Sequence, residues 1–265
     1  MEAELPSFRI MPLIKSKKEI EALSEGGKRL ADILQKVAEV VGSGVTTKEL
    51  DSLAESLILS SGCTPSFKGY NAFGARTAYP ASLCTSINDE VVHGIPSEKR
   101  ILQEGDIIGL DIGMKYEGLY TDMARTVGVG RIDGGSKKLI DVTCESLEKG
   151  IAEVRAGAYI GDIGEAIQMH AERYGFGVVR ELVGHGVGHA VHEDPAVPNF
   201  GKRGKGVRLL EGMVLALEPM VTAGKHRVML ADDEWTWKTA DGSRAAHFEH
   251  TVAVTKDGVR VLTEG

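Results

Sequence analysis

Three histidines are crowded into one short, glycine-rich stretch in the second half of the chain. Residues 183–195 read VGHGVGHAVHEDP and contain His185, His189 and His192. An imidazole nitrogen can bind a metal ion or hydrogen-bond a substrate, and neighbouring glycines let the backbone approach whatever the ring holds. Helix and strand propensities both disfavour this composition. The stretch therefore predicts a metal or substrate site.

The spacing of two of these histidines suggests one known metal motif, which the intervening residues exclude. His185 and His189 are four residues apart, like the two ligands on a zinc-protease helix. The residues between them are Gly-Val-Gly, which disfavour a helix, and the glutamate of that motif is missing. The alternative, a glycine-rich turn with incidental histidines, is disfavoured because three histidines fall so close together and precede Glu-Asp-Pro.

Four acidic residues lie in or directly after strand-like apolar segments. Asp111 and Glu218 each follow an apolar run, and Asp122 and Glu249 occupy the adjoining segments. A buried unpaired carboxylate costs several kcal/mol or shifts its pKa, so these acids need a cation. Because side chains alternate along a strand, all four can point into one cavity.

The number and type of these groups indicate two divalent ions. Four carboxylates and one imidazole would balance two doubly charged cations, and carboxylates can bridge metals about 3.5–4 Å apart. Oxygen-rich ligand sets suit Mn, Fe or Co better than a thiolate zinc site does, and Zn stays open. Each acid taken alone could equally be a turn residue or an ion-pair member; the set of four favours the metal site.

Helix signals before these segments predict the elements that position them. Capping boxes at 16–19 and 46–49 open two amphipathic helices, which end near Gly42 and Gly62. Strands are predicted at 82–87, 106–112 and 121–129. Helix ends and the Glu-Gly turns before Asp111 and Glu218 recur in the same order, which predicts an internal duplication with halves at about 16–130 and 136–260. Residues 1–15 are a lead-in to a single domain, 16–265.

Composition limits the class of protein. The chain has 265 residues, 42% apolar, with a net charge of −7, which disfavours DNA or an anionic membrane as the main partner. No apolar run reaches membrane-spanning length and no signal peptide is recognised, so a cytoplasmic protein is expected. The three cysteines, which are scattered along the chain, are expected to be reduced thiols.

Eight segments together resemble the signature of the type I methionine aminopeptidases. They are Tyr79-Pro-Ala-Ser-Leu-Cys-Thr-Ser86, Val91-Val-His-Gly-Ile-Pro96, Asp111-Ile-Gly, Asp122-Met-Ala-Arg-Thr126, Gly184-His-Gly-Val-Gly188, His192-Glu-Asp-Pro195, Leu217-Glu-Pro-Met220 and Glu249-His-Thr251. The resemblance runs from about residue 14 to the C-terminus. It implies the α+β pita-bread fold, in which pseudo-two-fold helix-helix-strand halves surround a curved antiparallel sheet.

The resemblance also implies the metal ligands. Asp111 would chelate one of two divalent ions (Co, Mn, Fe or Zn), Asp122 and Glu249 would bridge both, and His185 and Glu218 would complete the second. Hydroxide activated by the metal pair would attack the scissile carbonyl, and Glu218 would pass the proton to the leaving amine.

Further residues would hold the substrate, according to the resemblance. His93 would lie near the scissile nitrogen or the free amine, and His192 on the carbonyl side. Tyr79, Cys84 and Trp235 would form an apolar pocket for the methionine side chain, with Tyr70 and Val191 as further candidates. Without the family, ordinary core packing is the better interpretation of these three wall residues.

Two segments depart from the family, and the remaining histidines are not assigned to the site. The stretch 71–78 is longer than the usual family loop, and Val191 stands where the family often has a larger side chain. The other histidines are expected to be structural or solvated; they are His170, His226, His247 and His250.

The resemblance therefore predicts a monomeric enzyme that removes initiator methionine from the N-termini of nascent polypeptides. A Xaa-Pro aminopeptidase or dipeptidase of the same fold is the alternative within the fold, and a non-catalytic binding module is the alternative from another class. The basic run Lys202-Arg203-Gly204-Lys205 is expected to be a solvated turn, with transient ribosome contact as a further hypothesis.

Overall fold

The computed structural model describes residues 13–71 and 76–264. Within these ranges the helices are α1 (Lys17–Val40), α2 (Thr47–Ser60), α3 (Gly134–Ala152) and α4 (Ile160–Arg173). The strands are β1 (Thr64–Pro65), β2 (Leu83–Ile87), β3 (Glu90–Val92), β4 (Ile107–Tyr116), β5 (Leu119–Gly128), β6 (Gly177–Val178), β7 (Gly184–Gly186), β8 (Glu193–Val197), β9 (Val214–Leu217), β10 (Met220–Thr222), β11 (Val228–Leu230), β12 (Trp237–Thr239), β13 (Ala245–His247), β14 (Glu249–Thr255) and β15 (Gly258–Val261). No helix in the described ranges is both long and apolar enough to cross a membrane.

The first two helices begin where the sequence predicts. At α1 the Glu19 carboxylate accepts from the Ser16 backbone N–H at 2.7 Å, and the Ser16 hydroxyl accepts from the Glu19 N–H at 3.3 Å. At α2 the same pair of bonds joins Thr46 and Glu49. Both predicted capping boxes are therefore confirmed, and each satisfies backbone donors that a helix start leaves unpaired.

A nine-stranded antiparallel sheet forms the centre of the molecule. Its order is β1-β4-β5-β14-β9-β7-β8, with β2 paired to β4 and β15 paired to β14. The predicted strands correspond to β2, β4 and β5, although β4 extends to Tyr116 instead of ending at Ile112. The extension occurs because β4 and β5 form a tight hairpin, whose two turn residues, Glu117 and Gly118, both have positive φ.

Each helix pair precedes strands of the sheet and buries its own apolar cluster. Leu34 of α1 and Leu50 of α2 pack with Leu110 of β4. Ile163 of α4 packs with Leu215 of β9 in a second cluster. This arrangement is the predicted α+β architecture; the division into duplicated halves stays a prediction. Of the predicted lead-in, residues 1–12 lie outside the described residues.

The register of the sheet aligns one row of residues across four neighbouring strands. Cys84 of β2 lies opposite Asp111 of β4, Asp111 lies opposite Ala124 of β5, and Ala124 lies opposite Glu249 of β14. Directly paired residues of an antiparallel sheet project their side chains to the same face. Asp122, two residues before Ala124, projects to that face as well. The register therefore gathers three acids and a thiol.

Candidate active site

All the site residues predicted from the sequence line one cavity of about 360 Å³. The carboxylates and imidazoles occupy one part of its wall, and the aromatic and thiol side chains occupy another. The predicted residues found there are Tyr79, Cys84, His93, Asp111, Asp122, His185, His192, Glu218, Trp235 and Glu249.

The four carboxylates are withdrawn from solvent, and no lysine or arginine of the described residues pairs with them. Asp111, Asp122 and Glu249 are each less than a tenth exposed, and each has a buried oxygen that lacks a hydrogen-bond partner. Burial raises the pKa of Asp111 from its ordinary 3.8 to about 7. Burial, together with the charges of the neighbouring acids, also raises the pKa values of Asp122, Glu218 and Glu249 well above their ordinary range.

A metal site fits these carboxylates. One ligand atom each from Asp122, His185 and Glu249 lies within 4.8 Å of the other two. The orphaned carboxylate oxygens supply hard donors, and cations at this place would satisfy them and remove the mutual repulsion. An oxygen-rich set with one imidazole suits first-row divalent ions.

His185 is oriented so that one ring nitrogen is free to act as a ligand. Its Nδ1 lies 2.9 Å from the Gly186 carbonyl oxygen, which can only accept, so Nδ1 carries the hydrogen. The lone pair is then on Nε2, which is 3.5 Å from Glu218 Oε1. Burial lowers the pKa of His185 to about 4, which keeps the imidazole neutral near pH 7. A neutral ring with an oriented lone pair is what a metal requires.

The glycines around His185 are explained by close packing of strands. A Cβ at Gly184 would lie 2.4 Å from the Ala216 carbonyl oxygen, and one at Gly186 would lie 2.2 Å from the Asp194 oxygen. Both contacts are too short for any other residue, because β7 is wedged between β9 and β8. The alternation of glycine and histidine in the sequence therefore results from a narrow strand that presents an imidazole to the cavity.

His189 does not join the cluster. Its Nε2 is 2.7 Å from Glu19 Oε1 at the start of α1, and the chain after β7 forms turns rather than a helix. The exclusion of a zinc-protease helix is thus confirmed. The adjacent Glu193 forms a buried ion pair with Lys15 and accepts from the Ala190 N–H at 2.7 Å. These bonds fix the histidine-bearing turn to the N-terminal end of α1.

His93 and His192 lie in the cavity beside the carboxylates. His93 has a φ of 60°, a left-handed conformation that a non-glycine residue adopts at a cost of about 1–3 kcal/mol, as is common at functional sites. The centroid of the His192 ring is 4.4 Å from that of His185, and its Nδ1 is 2.7 Å from the Tyr70 hydroxyl. Burial lowers the pKa of His93 to about 4 and lowers that of His192 further below its ordinary value.

The apolar part of the wall forms a compact cluster. Tyr79, Cys84 and Trp235 pack with Phe67 and Val191, and all of them are less than a tenth exposed. Tyr79 and Trp235 meet edge to face with ring centroids 5.2 Å apart. Cys84 is an unpaired thiol, as expected, and burial raises its pKa so that it stays neutral. Such a wall suits a long apolar side chain.

The stretch 71–78 begins and ends at this wall. Tyr70, just before it, lines the cavity, and the Tyr79 N–H at its far end donates to the Tyr70 carbonyl at 2.8 Å. Of the predicted longer loop, residues 72–75 lie outside the described residues.

His247 is a buried histidine beside the carboxylates that the sequence analysis did not assign to the site. It was expected to be structural or solvated. Only 3% of its surface is exposed, and its Nε2 lies 3.7 Å from Glu218 Oε2 and 4.0 Å from Glu249 Oε2. Of the two expected alternatives, burial excludes the solvated one and leaves the structural one, because His247 lies in β13, paired with Met220 of β10, in the interior. Its two-residue spacing from Glu249 was the available signal, since strand alternation favours one face for both.

The raised carboxyl pKa values predict how the metal-free protein responds to pH. Between pH 3.8 and about 7 the folded protein holds a proton on Asp111 that the unfolded chain has released, so stability falls as pH rises through this window. We expect the melting temperature of chelator-treated protein, followed by circular dichroism, to decrease from pH 5 to pH 8.

A divalent ion should remove this dependence, because ligands must be deprotonated to bind it. Metal addition should raise the melting temperature most at pH 8 and release protons into weakly buffered solution. Asp111→Asn is the matched control: its metal-free form should show a flatter pH profile. A melting temperature that rises with pH in the metal-free protein would contradict the prediction.

The model of metallopeptidase family M24 matches residues 21–256. A protein named methionine aminopeptidase from Clostridium acetobutylicum is 47% identical over 253 residues, covering 96% of this chain and 99% of that protein. Methionine aminopeptidase 1 of Bacillus subtilis matches with the same identity and coverage.

Solved structures of two other proteins superpose on this chain. The crystal structure of methionine aminopeptidase from Thermotoga maritima superposes with a TM-score of 0.91 at 44% identity, covering 95% of this chain and 99% of that one. Prolidase from Pyrococcus horikoshii superposes with a TM-score of 0.73 at 24% identity, covering 95% of this chain and 63% of that one. The second likeness concerns the fold alone.

Proposed function

The chain belongs to metallopeptidase family M24, and from that premise we propose how its residues perform the removal of an N-terminal methionine. The activity is that of a metal-dependent methionine aminopeptidase, and the fold is the pita-bread fold that the sequence predicts. The observation that carries the assignment of roles is the single cavity in which buried carboxylates adjoin an apolar pocket.

Asp111, Asp122, His185, Glu218 and Glu249 are the proposed metal ligands. Support comes from their burial, the orphaned oxygens and the free Nε2 of His185. When bound, divalent ions such as Co, Mn, Fe or Zn supply electrophilic polarisation of the substrate and a water nucleophile at neutral pH.

The remaining groups bind and orient the peptide. The pocket of Tyr79, Cys84 and Trp235 takes the methionine side chain, and the thioether gains favourable contacts with the aromatic rings. His93, whose ring centroid is 6.4 Å from that of Trp235, lies where the pocket meets the charged groups and accepts or donates at the substrate nitrogen. His192 donates from Nε2 to the scissile carbonyl oxygen as negative charge develops there.

Glu218 moves the proton. Its carboxylate is partly accessible to the cavity, with 13% of the side chain exposed, so its ionised form can accept a proton there. It takes the proton released by the attacking water and delivers it to the leaving amine.

The two alternatives to this function are weaker. A Xaa-Pro peptidase shares the fold, but the deep apolar pocket suits a long, flexible first residue, and the likeness to prolidase is limited to the fold. A non-catalytic binding module would not require three buried acids with orphaned oxygens around two neutral histidines.

Metal dependence and substrate choice test the proposal together. Metal-stripped protein, reconstituted separately with Mn, Co, Fe and Zn, should release methionine from a Met-Ala-Ser peptide and leave Xaa-Pro peptides intact. Mutation of a residue that only hydrogen-bonds a metal ligand typically lowers metal affinity or activity about 10–100-fold. Asp111→Ala removes a ligand itself, so it should lower the rate of methionine release by more than about 100-fold. Cleavage of Xaa-Pro peptides alone would favour the alternative peptidase, and no cleavage with any metal would favour the binding module.

His192→Ala tests the role at the carbonyl oxygen. Loss of one oxyanion donor typically costs about 10²–10³-fold in kcat, so we expect a fall of about 100-fold with little change in KM. Metal content, measured by mass spectrometry of the purified variant, should match that of the unmodified protein. A rise in KM at unchanged kcat would instead assign His192 to ground-state binding.

We further propose a cytoplasmic monomer that acts on nascent chains, with transient contact at the ribosome through the basic loop 202–205. Arg203 of this loop is already ion-paired with Glu153 at 2.9 Å and with Glu165 at 3.3 Å. The contact therefore depends on Lys202 and Lys205. Charge reversal of both lysines should reduce co-sedimentation with ribosomes and leave cleavage of a short peptide intact; unchanged co-sedimentation would refute the contact.

A further inference from the structure

Tyr70 makes a hydrogen bond that the proposed mechanism has not used. Its hydroxyl oxygen lies 2.7 Å from Nδ1 of His192, and the two rings are tilted with centroids 5.1 Å apart. Among the described residues the Tyr70 hydroxyl has no other hydrogen-bond partner. The bond joins a residue at the rim of the methionine pocket to the imidazole proposed to act on the scissile carbonyl.

The backbone holds Tyr70 in place for this bond. The Tyr70 N–H donates to the Phe67 carbonyl at 2.8 Å, and its carbonyl accepts from the Tyr79 N–H at 2.8 Å. The Tyr79 hydroxyl in turn donates to the Gly94 carbonyl at 3.0 Å, next to His93. Tyr70 is thus anchored to the same framework that forms the pocket and positions the second histidine.

The direction of the hydrogen bond decides which nitrogen of His192 carries the hydrogen. A neutral imidazole has one N–H and one lone pair. If Nδ1 donated to the tyrosine oxygen, Nε2 would present a lone pair to the cavity, and the phenolic hydrogen would lack an acceptor among the described residues. If the phenol donates to Nδ1, the hydrogen is on Nε2 and faces the cavity. The second arrangement leaves fewer unpaired groups, and unpaired buried groups are costly.

We propose that Tyr70 is a positioning residue, which donates its hydroxyl hydrogen to His192 Nδ1 and thereby fixes the tautomer with the hydrogen on Nε2. This inference rests on the proposed function of His192 at the carbonyl oxygen. An Nε2–H donates to a developing oxyanion, whereas an Nε2 lone pair would repel it. Tyr70 therefore does not touch the reacting atoms and acts through the imidazole.

Nitrogen NMR observes the tautomer directly and without turnover. In ¹⁵N-histidine-labelled protein, studied metal-free and with diamagnetic Zn, the His192 signals are identified by their absence in His192→Ala. Nδ1 should have the shift of an unprotonated ring nitrogen and Nε2 that of a protonated one. In Tyr70→Phe, which keeps the ring, both shifts should move toward a mixture of tautomers. A hydrogen on Nδ1 in the unmodified protein would overturn the proposal.

Kinetics separate positioning from a merely structural role. Removing one tautomer-fixing hydrogen bond in Tyr70→Phe should lower kcat about tenfold, with KM for a methionyl peptide changed less than about twofold. In the His192→Ala background the same substitution should have no further effect. Tyr174→Phe, on the surface beyond α4, is the matched control and should leave both constants unchanged.

An equal loss in both backgrounds would show that Tyr70 acts on packing, and an unchanged kcat with unchanged nitrogen shifts would show that the bond is dispensable. If the unmodified protein cleaved no methionyl peptide with any metal, the proposed roles would fail. The NMR result would still decide whether Tyr70 fixes the tautomer.

Discussion

Mutual repulsion among four carboxylates that share one buried cavity is the constraint on which the rest of this structure depends. Asp111, Asp122, Glu218 and Glu249 each resist ionisation because water is excluded, and for the last three the charges of the neighbouring acids add to this effect. Hydrophobic packing holds them together, since two apolar clusters fix the helix pairs against the strands that carry them. Divalent cations would relieve the repulsion, so metal binding should stabilise a fold that the buried acids alone destabilise.

The histidines around these acids are kept neutral and are oriented by one directional bond each. His185 uses a backbone carbonyl to direct its lone pair inward, and in the proposed tautomer His192 uses the Tyr70 phenol to direct its hydrogen. The centroids of the two rings are only 4.4 Å apart, yet the proposed roles of the two imidazoles are opposite because their outer partners differ. Residue type alone does not distinguish a ligand from a donor; the partner on the far nitrogen does.

Sequence analysis predicted the elements with local signals, and it predicted the four acids because they lie in or directly after strand-like apolar segments. The capping boxes at Ser16 and Thr46 could be predicted because the hydrogen bonds that cap a helix start join residues within one four-residue segment. Contacts between segments that are distant in sequence could not be predicted. The ion pair of Lys15 with Glu193 and the burial of His247 depend on the tertiary packing of strands and turns. His189 shows the same limit, because its partner, Glu19, lies at the far end of the chain.

The register of one strand pair links the proposed substrate pocket to the proposed metal ligands. Cys84 of the pocket lies directly opposite Asp111, which lies in the row with Ala124 and Glu249. A slip of β2 by one residue would turn Cys84 to the other face and bring Leu83 or Thr85 opposite the acid. Pocket and carboxylates therefore cannot be displaced independently. Under the proposed function, an apolar side chain seated against Cys84 would be held at a fixed distance along the row from the proposed catalytic groups. This register would let a single cavity both recognise the first residue and cleave after it.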